Sequence, residues 1–101
     1  MSVRIRVEAV AWMARALGPQ GSGRLAFERT VEPGTTLGSL LSDLAREHRD
    51  FADYVLAADG SLACPHLAVT LNGEVVAVPT ELGRELRDGD VVVLLPAFAG
   101  G

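Results

Sequence analysis

Apolar and polar residues alternate along positions 3–11. Val3, Ile5, Val7, Ala9 and Ala11 fall on one side, and Arg4, Arg6 and Glu8 on the other, which predicts a strand with one buried face. Gly18-Pro19-Gln20-Gly21-Ser22-Gly23 reads as a loop. Positions 24–32 alternate again, Leu25, Phe27, Arg29 and Val31 opposing Arg24, Ala26, Glu28 and Thr30, so the two runs predict a hairpin. Arg29 interrupts the apolar face of the second run, which predicts a strand at an edge or carrying a bulge. Pro33-Gly34 turns the chain, and Thr35 or Thr36 can cap a helix. Leu37, Leu40, Leu41 and Leu44 then share one helical face, with the helix ending near Glu47 or His48. Gly38, near its start, is expected to weaken it slightly.

Phe51, Tyr54 and Val55 suggest a second short helical segment before the Asp59-Gly60 turn. Leu67, Val69 and Leu71 alternate with Ala68 and Thr70, and Asn72-Gly73 leads into Glu74-Val75-Val76-Ala77-Val78. Asn-Gly between two such runs is a strong hairpin signal, because both positions tolerate positive φ. Pro79 to Arg87 is a polar connection with room for one helical turn. Asp88-Gly89-Asp90 turns into a last strand, 91–95, whose side chains are all apolar, so burial on both faces is expected.

Strand, strand, helix, strand, strand, strand in that order predicts an α+β fold, a mixed sheet with one main helix packed on one face. The first and last strands can lie side by side at its centre, which is the β-grasp, or ubiquitin-like, topology. At 101 residues the chain suits one domain. The division expected is 1–95 for the folded body and 96–101 for a flexible tail.

The net charge of −4 comes with nine cations spread along the chain, which argues against a nucleic-acid footprint. All nine are Arg; without lysine, the chain cannot be joined to itself through side-chain amines. No apolar run approaches a membrane span and no apolar signal core follows Met1, so a cytoplasmic protein is expected, with no membrane partner. A single cysteine, Cys64, excludes an internal disulfide. With His48 and His66 it makes a thin basis for a metal site, and no bound cofactor is expected. Cys64 reads as a small buried or loop residue, and His66 as a strand-start or surface residue. Asp88 and Asp90 read as turn residues rather than a carboxylate pair. Trp12 and Met13 fit either core packing or an exposed patch for a partner.

The most informative segment is Leu86-Arg87-Asp88-Gly89-Asp90, the apolar strand, and then Pro96-Ala97-Phe98-Ala99-Gly100-Gly101. It resembles the C-terminus of the MoaD/ThiS sulfur-carrier family: a Leu-x-Asp-Gly-Asp turn, an apolar strand, a Pro and a closing Gly-Gly. Val69-Thr70-Leu71-Asn72-Gly73 and the Thr36-initiated, Leu-rich helix resemble that family's hairpin and helix. Two tail departures, Ala97 for a second Pro and Phe98 for Val or Ile, keep the tail uncharged. Val10-Ala11-Trp12-Met13-Ala14-Arg15-Ala16-Leu17-Gly18 departs from the Phe-Ala-x-Leu-Arg-Glu-like stretch of the molybdopterin-synthase type. The length and the insertion around Ala57–Pro65 look more like the branch that includes CysO, a carrier for cysteine biosynthesis.

The resemblance implies a carrier rather than an enzyme, of the kind that also serves as the small subunit of molybdopterin synthase. A MoeB/ThiF-like adenylating partner would use Mg-ATP to turn the carboxylate of Gly101 into an acyl adenylate. A persulfide sulfur would replace AMP, and a downstream synthase would take sulfur from the resulting thiocarboxylate. Molybdenum cofactor, cysteine, thiamin thiazole or another thio-metabolite could be the product. The alternative is a ubiquitin-like modifier joined through Gly101 to lysines of other proteins. A third is a plain β-grasp interaction domain in which Gly-Gly is incidental.

The tail suits the first two. Six residues from Pro96 to Gly101 reach at most roughly 20 Å. Gly100 and Gly101 bring no Cβ into a narrow channel. Pro96 ends the strand. Pro96, Ala97, Phe98, Ala99 and Gly100 are the expected partner-binding residues around the reactive Gly101. Phe98 either anchors in a partner pocket or folds back on its own core.

Overall fold

The computed structural model describes residues 2–10, 24–56, 67–77 and 80–96. Strand β1 (Val3–Val10) pairs antiparallel with β2 (Arg24–Val31), and helices α1 (Leu37–Glu47) and α2 (Arg49–Val55) follow. Strands β3 (Leu67–Leu71) and β4 (Glu74–Val76) form the hairpin around Asn72-Gly73, and β5 (Val91–Pro96) completes the sheet. The strand order is β2-β1-β5-β3-β4. β5 lies parallel to β1 and antiparallel to β3, so the first and last strands occupy the centre as expected of a β-grasp sheet.

The alternation of β1 puts Ile5, Val7 and Ala9 on the inner face, where they are buried. Leu37, Leu40, Leu41 and Leu44 of α1 are fully buried against that face, with Phe51 and Val55 of α2 beside them. Burying each of these large side chains is worth about 2 kcal/mol, so the leucine stripe fixes the helix on the sheet. Leu86, in the connection before β5, is also buried and joins this core.

The start of α1 is closed by two devices. Thr36 is the N-cap, its hydroxyl accepting from the Ser39 N–H at 3.1 Å. The Leu37 and Gly38 N–H groups donate to the carbonyls of Arg84 and Leu82, both at 2.8 Å. Thr35 makes the preceding turn instead, its N–H and hydroxyl both donating to the Glu32 carbonyl. A Cβ on Gly38 would sit 3.1 Å from the Leu82 oxygen, so glycine here permits close passage of the 80–87 connection, a role its helix propensity does not reveal.

β2 is an edge strand, and its register with β1 runs without interruption from Val3↔Val31 to Val10↔Arg24. Of the two expectations raised by Arg29, the edge is observed and the bulge is not. The expectation that β5 is buried on both faces is corrected. Val92 and Leu94 are buried, whereas Val91, Val93 and Leu95 are half-buried. The physical reason is that both described helices cover the same side of the sheet, leaving the outer side uncovered by any described element.

Candidate functional site

β5 is held along its whole length. At its start, Asp90 and Asn72 exchange groups across the turn that precedes it. The Asn72 side-chain amide donates to Asp90 Oδ1 at 2.9 Å, and the Val91 N–H donates to Asn72 Oδ1 at 2.9 Å. The Asn72 backbone N–H donates to the Val91 carbonyl at 2.8 Å, and the Arg87 N–H to Asp90 Oδ2 at 2.8 Å. Asp88 fastens the same turn to β1, its Oδ1 accepting from the Arg4 N–H at 2.8 Å while the Gly89 N–H donates to the Arg4 carbonyl. The turn reading of Asp88 and Asp90 holds, but each also crosses to another strand. Gly89, at φ +87°, occupies the left-handed region that glycine enters without strain.

At the other end, Pro96 is the last residue of β5 and faces Leu67 in the sheet. Pro96 thus ends the strand, as its missing N–H leads one to expect. Five residues remain beyond it, a reach of at most roughly 17 Å. Ala97, Phe98, Ala99, Gly100 and Gly101 lie outside the described residues, as do Trp12, Met13, Cys64 and His66.

The outer side of the sheet divides in two. The row Ala26–Glu8–Val93–Thr70–Val75 crosses all five strands in register. Over β1 and β2 this side carries Arg4, Arg6, Glu8 and Glu28, with Arg6 Nε 2.9 Å from Glu8 Oε2 and Arg4 Nε 4.0 Å from Glu28 Oε1. Over β5, β3 and β4 it carries Val91, Val93, Leu95, Ala68 and Thr70, all half-buried, and Val75, which is 77% exposed. This stripe was not legible as a surface, because the sequence does not say which side the helices cover. It runs along β5 toward the residue from which the tail departs. A shallow depression of about 410 Å³, lined by Leu71, Asn72, Arg84, Glu85, Arg87 and Asp90, lies at the opposite end of β5.

Among the described residues no cluster of three His, Cys, Asp or Glu side chains could hold a metal ion. No described helix is long and apolar enough to cross a membrane. Among the described residues the perturbed charges are Arg29 and Glu47. Their hydrogen bond and mutual attraction hold the Glu47 carboxyl below its ordinary range and Arg29 above its own. The pair links β2 to α1 on the helix side, so it is a structural contact and lies away from the outer stripe.

The family model for ThiS matches residues 21–101, well over half of the chain. The chain belongs to the ThiS family. Small archaeal modifier protein 1 of Haloferax volcanii is 27% identical, with 95% of this chain and 99% of that one covered and a TM-score of 0.73. In the Amycolatopsis orientalis BexX/CysO complex, the matching chain is 26% identical, with 94% and 99% covered and a TM-score of 0.57. A putative molybdopterin converting factor, subunit 1, from Pyrococcus furiosus shares the fold at 22% identity, with 95% and 99% covered and a TM-score of 0.70. The comparison with curated proteins gave no significant match. The ThiS-family chain is thus a ubiquitin-like β-grasp protein of the sulfur carrier and modifier group.

Proposed function

We propose that this ThiS-family chain is a sulfur carrier whose reactive group is the carboxylate of Gly101. A carboxylate is a poor acyl donor, because resonance and negative charge repel nucleophiles. Adenylation by a partner enzyme with Mg-ATP supplies a leaving group, and a sulfur nucleophile then displaces AMP to give a thiocarboxylate. A second partner, a synthase, accepts that sulfur. The chain contributes no acid, base or metal to these steps; it is a co-substrate that other enzymes handle.

The observation that carries the reading is the continuity of β5 with the tail. A strand pinned at the sheet centre by Asn72, Asp88 and Asp90 ends at Pro96, and the uncharged Ala97-Phe98-Ala99-Gly100-Gly101 follows directly. The half-buried stripe of Val93, Leu95 and Ala68 beside that exit suits docking of the adenylating enzyme.

The test is mass spectrometry of protein with a native C-terminus after incubation with an adenylating enzyme, Mg-ATP and a sulfur donor. The carrier reading expects a gain of about 16 Da, sulfur for oxygen at the activated carboxyl. Isopeptide adducts with no sulfur form would overturn it. They would favour the second reading, a protein modifier, which the likeness to Haloferax volcanii small archaeal modifier protein 1 supports. The sulfur acceptor is proposed to be a biosynthetic synthase of the molybdopterin, cysteine or other thio-metabolite type.

A further inference from the structure

Asn72 is the only asparagine in the chain, and glycine follows it. Asn-Gly is the most reactive setting for asparagine, because a glycine N–H meets no side-chain obstruction on its way to the neighbouring amide carbon. Asn72 and Gly73 are both exposed and form the two-residue loop between β3 and β4, each with positive φ (53° and 87°). Yet both polar atoms of the Asn72 side chain are engaged. Nδ2 donates to Asp90 Oδ1 and Oδ1 accepts from the Val91 N–H, both at 2.9 Å. These two bonds hold the side-chain amide toward Asp90 and Val91 and oppose the rotation that would bring its carbon onto the Gly73 nitrogen.

We propose that Asn72 is a deamidation site guarded by this clasp, and that its conversion is a spontaneous switch that loosens the entry to β5. When the hairpin opens, the Gly73 backbone nitrogen, losing its proton, attacks Asn72 Cγ. A five-membered succinimide forms, and the side-chain nitrogen leaves as ammonia. Water then opens the ring at either carbonyl, giving aspartate or isoaspartate. Aspartate has no amide donor and sets a carboxylate against that of Asp90, where two negative charges at hydrogen-bond distance repel. Isoaspartate adds a methylene to the backbone of a two-residue loop that has no slack for it. Both products break the link between the β3–β4 turn and the strand that carries the tail. This inference is independent of the sulfur-carrier reading, since it concerns the body of the fold.

The test follows conversion at position 72 by peptide mapping of the full chain at mildly alkaline pH. Aspartate isomerisation at Asp59-Gly60 or Asp88-Gly89 leaves mass unchanged, so the mass gain of deamidation in this peptide reports Asn72 alone. The folded protein is expected to convert slowly and the urea-unfolded chain rapidly. Asp90→Ala, which removes one hydrogen bond of the clasp, is expected to convert at least about fivefold faster than wild type under native conditions. A second measurement holds even if Asp90→Ala fails to fold. Asn72→Asp should lower the thermal midpoint, and adding Asp90→Asn, which swaps donor and acceptor, should recover most of the loss. Equal conversion rates in the folded and unfolded chains would overturn the guard. An Asn72→Asp protein as stable as wild type, or a double variant no better than the single, would overturn the switch.

Discussion

Arg29 on β2 and Glu47 at the end of α1 form a two-pronged ion pair that ties the sheet edge to the helix. Arg29 Nη1 donates to Glu47 Oε1 at 2.8 Å, and Nη2 donates to Oε2. Arg29 stands opposite Ile5 on the inner face of the sheet, so its stem shields the core edge while its head reaches the helix. The interruption in the apolar pattern of β2 is thus a staple at the rim of the core.

The pair makes a pH prediction. Its hydrogen bond to Arg29 lowers the Glu47 pKa in the folded state, so its stabilisation is fully present above the ordinary glutamate value and is lost as pH falls through the lowered one. Glu47 is substantially exposed, so solvent screening limits the effect to below about 1 kcal/mol. Urea unfolding of wild type and Glu47→Gln should differ at neutral pH and converge in strong acid. An unchanged difference across that range would rule the ion pair out as its source.

Gly38→Ala should destabilise the fold by about 1 kcal/mol, although alanine is the better helix former. The new Cβ meets the Leu82 carbonyl at 3.1 Å and the Leu82 Cβ at 3.3 Å, and that carbonyl is already bonded to the Gly38 N–H. Denaturant unfolding measures it; a more stable variant would show that the 80–87 connection yields freely.

Asp88→Ala should cost about 1 kcal/mol through loss of the acceptor for the Arg4 N–H. Amide exchange at Arg4 should accelerate in this variant while amides at the centre of α1 stay protected from local opening. Exchange unchanged at Arg4 would show that Asp88 does not fasten the turn to β1.

Val75→Asp and Leu95→Asp test the outer stripe. Val75 is 77% exposed, so its replacement should alter stability by no more than about 0.5 kcal/mol. On the sulfur-carrier proposal, both variants are expected to raise KM for this chain by about tenfold or more, with kcat little changed, in an ATP–pyrophosphate exchange assay with an adenylating partner. Unchanged KM in both would place the docking surface elsewhere.

Gly101→Ala should leave the unfolding midpoint within error of wild type. On the sulfur-carrier proposal, Gly101→Ala is expected to slow thiocarboxylate formation, because it adds a Cβ next to the carboxyl group that a narrow partner channel would have to admit. Phe98→Ala is expected to raise KM. Normal transfer by both would remove the tail side chains from recognition.

The periodicity of the sequence determined most of the elements. Alternation in β1, the leucine spacing of α1 and the Asn72-Gly73 turn are local signals, and local backbone preference decides them. The ThiS-type ending from Leu86 to Gly101 was likewise legible, because turn, strand and tail are contiguous. Other features depended on contacts between distant segments. Gly38 looked like a weak helix residue until the carbonyl of Leu82, forty-four positions later, came beside it. Arg29 fitted an edge or a bulge equally until the strand order and unbroken register chose the edge. Val91-Val92-Val93-Leu94-Leu95 carries one hydropathy on both sides of β5. Only the placement of both described helices on one side of the sheet buried Val92 and Leu94 and left Val93 and Leu95 half-open on the other. A strand encodes its alternation in its own residues, but which side becomes core is set by the elements that pack against it.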